Sequence, residues 1–479
     1  MTAASPYLRP ESPSRHLWVP VAVGLVGFAV ACGFALALGE LDALYVTLSL
    51  ITCIAVFYDF RIGAVLLVLM LPIAGSTLFP RTLMGLTGLN PLNLLLAGTL
   101  ASYVLRGRLQ RAGSFLPQPL LWLYVVPIVV GGLLGARHVD DIAFTFFESE
   151  TLTFTGAIGY LRDMLFKPLL IPAAALLVGA AVARSQKPER FLVPIALSVW
   201  IIAAVQIGFV IAAGTHPAML AATSARDFFD AMGLHANDLG RLYAIAYGLL
   251  LFAWWESSRP GLKLLLFATM GVLTLALVLT FSRAAFLGFL LISALFVMWK
   301  FNVRTLALAL LGVTTAAVLA PGYLYRRITV GFDSGNLDEV SAGRIEGIWE
   351  PLAPEVWNSP LWGEGLGSTM WSHPMQVGAM LPVTHPHNAY LEGLLDMGLI
   401  GLVLLLAYYL HVWKGLRSLA SNAYLSPEMR GLFQGACAGL LCFAVTGMAG
   451  SSLRPETEAV YLWMAIGMMY GMLARRPEA

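Results

Sequence analysis

Along its whole length the chain alternates between apolar runs of near twenty residues and short polar breaks that carry the charge. A run of that length crosses a hydrocarbon core of roughly 30 Å, and spanning backbone has to satisfy its own hydrogen bonds, so each run predicts a helix. The pattern predicts fourteen spans, near 17–38, 43–58, 62–79, 89–105, 119–136, 164–183, 191–213, 237–255, 262–281, 284–300, 304–321, 388–412, 430–448 and 459–474. The second is short and the ninth and tenth nearly fuse, so 12–14 spans fit the same pattern. The expected fold class is all-α, a polytopic membrane protein made of a single integral membrane domain over 1–479.

Composition agrees, with 58% hydrophobic and only 12% charged residues, against about 25% charged in an ordinary soluble domain. Charge placement then orients the chain. On the side to which even-numbered crossings return lie 18 of the 29 Lys and Arg but 6 of the 27 acids. The positive-inside rule puts that side, with both termini, in the cytoplasm. No small-residue cleavage pattern follows the first run, which predicts a retained anchor. The opposite face carries the external loops 137–163 and 214–236 and a large loop, 322–387, between spans 11 and 12. Trp349, Trp357, Trp362 and Trp371 argue that the large loop is folded, and GRIEGIWEPLAPEVW predicts a short amphipathic helix within it. Cys32, Cys53, Cys437 and Cys442 all fall in apolar runs and read as small core residues.

Three stretches carry candidate chemistry. In THPHNAYLEGLLDMGLIG (384–401), Pro386 suits a first helical turn, which puts His387 in the opening turn of the twelfth span. On a regular helix Gly398 lies about 20° and Gly401 about 40° around from His387, a stripe that lets a neighbouring helix approach. A helix N-terminus disfavours positive charge, so the imidazole is expected to be neutral and fit for general-base work; a histidine capping an interfacial helix is the plainer alternative. VLTFSRAAFLGF holds Arg283 at a tight external turn, as a site residue or as a snorkelling side chain. SAGRIEGIWEPLAPEVWNSPLWGEGLGS (341–368) offers Arg344 and the turn glycines Gly363, Gly365 and Gly367. A lone GxGxG is a weak phosphate signal, whereas two guanidiniums can clamp a diphosphate. Arg241, opening the eighth span, is a possible third phosphate contact. Asp396 either orients a polar side chain or makes a packing hydrogen bond. Asp140, Asp141, Glu148 and Glu150 read as a solvated acidic loop more readily than as a cation site, and His373 and His385 as loop histidines without metal-ligand spacing.

In this order TFSRAAFLG, SAGRIEGIWEPL, SPLWGEGLGS and HNAYLEGLLDMGLIG resemble the O-antigen ligase family, which also includes O-antigen and exopolysaccharide polymerases and bacterial O-oligosaccharyltransferases. The last stretch fits that family's His-Asn/Ser/Gln-x9-Gly-x2-Gly/Thr/Tyr signature, and the four together span about 283–401. The resemblance implies a GT-C-like, metal-independent, inverting glycosyltransferase of the bacterial inner membrane that uses no cofactor and works at the periplasmic face. It implies an undecaprenyl-diphosphate-linked glycan as donor and an acceptor glycan or glycolipid, either lipid A-core or growing polysaccharide. Membrane lipids are its surroundings, and no nucleic acid is expected. It implies that His387 deprotonates the acceptor and that Arg283 and Arg344 hold the diphosphate; Arg241, Asn388 and Gly365 are expected, beside the resemblance, to contact substrate. Family ligases usually have about twelve spans, and the 137–163 loop is extra to that pattern; paired Arg-x10-Gly motifs, seen in some polymerases, are missing here. A flippase for the same lipid is the rival of another class. It would place charge near the midplane and often repeat its halves, neither of which the sequence shows. A scaffold would have no use for the Arg/Arg/His set.

Overall fold

The computed structural model describes residues 41–475 except 81, 84–85, 108–114, 149–151, 153, 222, 320, 333–334 and 451. A helix stands at each predicted span position from 43 onward, and the predicted 17–38 span lies outside the described residues. Six helices are long and apolar enough to cross a membrane: Gln118–Gly135, Gly156–Ala183, Pro188–Ala212, Pro260–Leu279, Ala389–Ala420 and Pro427–Ala449. Shorter apolar helices run over Tyr45–Tyr58, Phe60–Ile73, Pro91–Leu105, Arg283–Trp299 and Val303–Thr315. Among the described residues the β structure is one antiparallel pair, Thr82–Leu83 with Leu86–Thr87. Large apolar side chains such as Phe267, Met298 and Leu310 face outward, as lipid-facing surfaces do. This is a multi-pass membrane protein.

Two tight helix pairs form the core: Ala236–Glu256 against Pro427–Thr446, and Lys167–Ala183 against Val460–Ala474. Glycine permits both, because helices in lipid gain by close backbone approach rather than by a hydrophobic drive. A Cβ on Gly435 would stand 2.3 Å from the Gly248 carbonyl oxygen, and one on Gly471 2.1 Å from that of Gly179.

The span predicted at 164–183 begins earlier, at Gly156. Arg162 and Asp163 fell in the predicted loop, but Asp163 pairs with both Arg162 and Lys167 within the helix, which leaves only one net positive charge there. Three π-helical turns, Leu121–Val125, Leu161–Phe166 and Ile345–Trp349, each stop two residues short of a proline: Pro127, Pro168 and Pro351. Proline donates no hydrogen bond to the carbonyl four residues back and its ring crowds that carbonyl, so the turn before it widens. At Pro351 the released carbonyl is that of Gly347, which accepts from Leu381 N–H at 3.0 Å. That bond ties the predicted amphipathic helix to the strand of loop leading into His387.

Candidate active site

The Ala389–Ala420 helix begins later than its sequence suggests. Its N-cap is Asn388, whose Oδ1 accepts from Tyr390 N at 3.1 Å and Leu391 N at 3.2 Å. His387 therefore precedes the helix instead of opening it, and Pro386 stands outside the first turn. The side-chain amide outcompetes proline as a start signal because it satisfies two otherwise unpaired backbone donors. His387 adopts a left-handed conformation, φ 52°, and is half-buried. The Trp349 indole donates to the carbonyl of Pro386 at 2.8 Å, and the His385 ring meets His387 edge-on at 4.2 Å between centroids. Among the described residues the His387 ring makes no hydrogen bond, so its nitrogens are available to a substrate.

Arg344 is placed by the segment LDEVSAGRIEG. The Leu337–Ser341 helix ends on Ala342 and Gly343, both left-handed, with φ 65° and 78°. Asp338 Oδ1 then accepts from the backbone N–H of Ile345 at 2.9 Å and Glu346 at 3.0 Å, starting the next helix just past Arg344. The guanidinium donates to the carbonyl of Ala449 at 2.8 Å.

Arg283 is the first residue of Arg283–Trp299, after the N-cap Ser282 and the left-handed Phe281, φ 49°. It donates to the Val330 carbonyl at 3.0 Å. Ser282 Oγ donates to Asn237 Oδ1 at 2.8 Å, and Asn237 N–H donates to His235 Nδ1 at 3.2 Å. His235 is among the groups whose field bears on His387, so it is the Ser282 cap before Arg283 that connects to that cluster. The non-glycine left-handed residues among those described are Phe281, Ala342 and His387. Two lie two positions before the arginines and the third is the histidine itself. Such a conformation costs roughly 1–2 kcal/mol per residue, and strain of this kind collects at working sites.

Sequence reasoning missed the loop after Pro427–Thr446, which gathers three more charges at this end. Arg454 donates to buried Glu392 Oε1 at 2.7 Å. Arg241 pairs with buried Glu458, Nη1 to Oε1 at 2.9 Å, and lies so close to Gly450 that a Cβ there would stand 2.2 Å from Nη1. The signals were there: an acid inside an apolar run at Glu392, and the dense RPETE segment in a short connection. Arg241 lends the site its field while its hydrogen bonds go to protein.

Two predicted substrate contacts have structural occupations. The Oδ1 of Asn388 caps the helix, which leaves its amide N–H groups for other partners. Gly365, φ 104°, lies on the backbone of Gly135, where a Cβ would meet Gly135 N at 2.1 Å. It faces protein rather than an open cradle. The predicted stripe of small residues also fails as helical geometry, because Gly398 is non-helical, φ 62°, ψ −172°, and breaks the helix. There the helix accepts the 360–368 turn. Leu399 N–H donates to the Pro360 carbonyl at 2.9 Å, Gly365 N–H to the Asp396 carbonyl at 3.0 Å, and Asp396 Oδ1 takes Gly367 N at 3.0 Å and Ser368 Oγ at 2.9 Å. Asp396 is thus a buried packing and capping group, and the glycine turn is the partner of the helix break. Among the described residues no set of His, Cys, Asp or Glu side chains converges on a metal position, and Glu150 lies outside those residues.

The field on His387 follows. Burial first, then His385, Arg344, His235 and Arg241, drives its pKa down to about 2. His385 falls to about 4 through burial and then Arg454, Arg241 and Arg344. Both rings are neutral at ordinary pH, for the reason of burial among cations more than for the helix end proposed from sequence. Cations gathered round a neutral imidazole make a place for an anion, and an anion there would raise the imidazole's basicity. Beside Tyr390 an apolar cavity of about 330 Å³ runs along the helix past Leu406, Leu410 and Trp413 to Leu440 and Phe443.

Residues 265–406, which include Arg283, Arg344 and His387 but not Arg241, match the sequence pattern described as O-antigen ligase. The chain is also 27% identical over 376 residues to the O-antigen ligase of Pseudomonas aeruginosa, an alignment covering 74% of this chain and 82% of that protein. The ordered motifs and both comparisons thus agree in making this chain similar to the O-antigen ligase family.

Proposed function

We propose that this protein transfers a glycan from an undecaprenyl-diphosphate-linked donor to a hydroxyl of an acceptor glycan, as a ligase with a lipid A-core acceptor, at the periplasmic face of the inner membrane. On this reading both termini are cytoplasmic, the shorter apolar helices also cross, and the arrangement is GT-C-like. One observation carries the proposal: an unbonded, neutral His387 ring within the field of Arg344 and Arg241, three residues before Tyr390, which lines an apolar cavity. A polyprenyl diphosphate has that shape, an anion on an apolar tail.

The chemistry then follows from charge. Arg344 and Arg283 take the diphosphate in place of the backbone carbonyls they now hold. The anion offsets the cations around His387 and raises its basicity. A ring nitrogen of His387 accepts the acceptor hydroxyl's proton as the oxygen attacks the anomeric carbon from the face opposite the diphosphate. The C1–O bond breaks with inversion, and the diphosphate leaves with its new charge neutralised by the guanidiniums. The imidazolium gives its proton to water once the diphosphate departs, because the unscreened cations restore the low pKa. Donor binding therefore switches the base on.

The test is transfer by purified protein with undecaprenyl-diphosphate glycan, in EDTA. Turnover is expected without added metal, and Arg344→Ala or Arg283→Ala is expected to lower it at least about 100-fold, with poor rescue by lysine, which cannot make the bidentate contact. A requirement for added metal contradicts the two-arginine account. In a deletion strain, loss of all lipid-attached chains supports ligase, whereas single-repeat caps mean polymerase.

A further inference from the structure

A second cavity lies apart from the His387 cluster. It has a volume of about 440 Å³ and is walled by the 134–141 connection on one side and the 355–376 part of the large loop on the other. Planar polar groups line it: Glu355, Asn358, Glu364 and Gln376, with His138 stacked on Trp371 at 5.5 Å and 14°. The walls are pinned to each other. Gln376 Nε2 donates to the Asp141 carbonyl at 3.2 Å and Ala143 N–H to the Met370 carbonyl at 3.2 Å, while Asn358 Nδ2 donates to Glu355 Oε2 at 3.1 Å within one wall. This is a built cavity, not the gap between two independent loops.

Its chemistry narrows the ligand. Flat carboxylates and amides offer paired acceptors and donors, which suit neighbouring hydroxyls on a ring. Among the described residues the acids do not converge on one metal position. Burial, and then Glu355, hold the Glu364 carboxyl above its ordinary range. Asp141, Glu355 and Glu364 outnumber Arg137 along the lining, so an acidic or phosphorylated sugar meets more like charge than opposite charge.

We propose that this cavity is a glycan subsite, seating a neutral or amino-sugar unit of one substrate away from the reacting atoms. The inference rests on the glycan-transfer reading for its biological sense, but not for its test. Full-length His387→Ala protein in detergent, which cannot turn over, is titrated by saturation-transfer NMR with chitotetraose, maltotetraose and tetragalacturonate. At least one neutral tetrasaccharide is expected to bind, and tetragalacturonate to bind at least tenfold more weakly. Asn358→Ala and Glu364→Gln are each expected to weaken the neutral ligand about tenfold, the effect of losing roughly 1.4 kcal/mol. Glu364→Gln keeps the shape of the side chain and so separates a lost acceptor from a lost fold. Failure of both neutral sugars to bind, binding unmoved by both variants, or equal binding of the acidic sugar overturns the proposal. In a transfer assay with wild-type His387, a KM rise for the donor assigns the seated unit to the donor, and a rise for the acceptor assigns it to the acceptor. No KM change for either substrate also overturns it. If the protein proves to catalyse no transfer, the binding result still stands or falls alone.

Discussion

Two left-handed residues bracket the first half of one helix segment, and they are held for opposite reasons. At Gly398 the chain leaves helical geometry without a Cβ to crowd it, and the backbone around it bonds to the 360–368 turn. At His387 a branched ring takes a similar φ, at a cost, and its nitrogens are left unanswered. The first is a joint whose backbone bonds are met. The second is strained and incomplete, which is the state of a group waiting for a substrate. Small residues in a signature thus need not share a task with its polar ones.

Substitutions at the two positions should break or sharpen that contrast. The largest effect is expected from Gly398→Ala, whose Cβ would stand 2.3 Å from Leu361 C and 2.4 Å from Trp362 N, with no flexible atom to move. Loss of folded protein, read by size exclusion in detergent, is the expected outcome. His387→Gly should do the reverse: folded yield and melting temperature hold or rise slightly, since relief of roughly 1–2 kcal/mol of strain exceeds glycine's entropy cost of roughly 0.5–1 kcal/mol. Transfer nevertheless disappears. A melting temperature that falls as far as for Gly398→Ala would mean that His387 is structural too.

Next in size is the buried pair behind the site. Arg454→Met leaves Glu392 buried without its cation, a loss of about 3–5 kcal/mol, and Arg454→Met with Glu392→Leu should recover most of it. Failure of the double variant to recover in thermal unfolding would give Arg454 a role beyond pairing. The smallest expected effect is Asn388→Ala, which removes the cap and costs about 1 kcal/mol, while Asn388→Asp retains stability. A loss of turnover in Asn388→Asp with stability intact would return Asn388 to the substrate contacts.

Much of this was legible from hydrophobic runs alone, because lipid forces backbone into helices and run length reports their places. His387, Arg283 and Arg344 stand out as candidates because charge and imidazole contrast with apolar surroundings. The rest was hidden for definite reasons. Gly398 sits in an apolar run and reads as a packing glycine; only its partner turn, more than thirty residues earlier, reveals a break. Asn388 and Pro386 both signal helix starts, and their competition is decided by two hydrogen bonds that pattern does not show. Arg454 and Glu392 lie 62 residues apart, and nothing local to either names the other. The Gly156 start was masked by charges that pair within the helix.

The central claim is that His387 is a neutral base whose strength the donor's diphosphate restores. Its ordinary pKa is 6.5, and in the free protein it stands at about 2 with His385 at about 4. Depressed values mean that the unfolded chain takes up protons first, so stability held at neutral pH is lost as pH falls from about 6.5 through these values. The direct measurement is a pH titration of ¹⁵N-histidine-labelled protein, with His387 assigned by its loss in His387→Gln, run with and without undecaprenyl diphosphate. The account predicts a ring that stays neutral to below pH 4 alone and titrates at clearly higher pH with the diphosphate bound. A ring that titrates near 6.5 in the free protein and does not move when the diphosphate binds would contradict it.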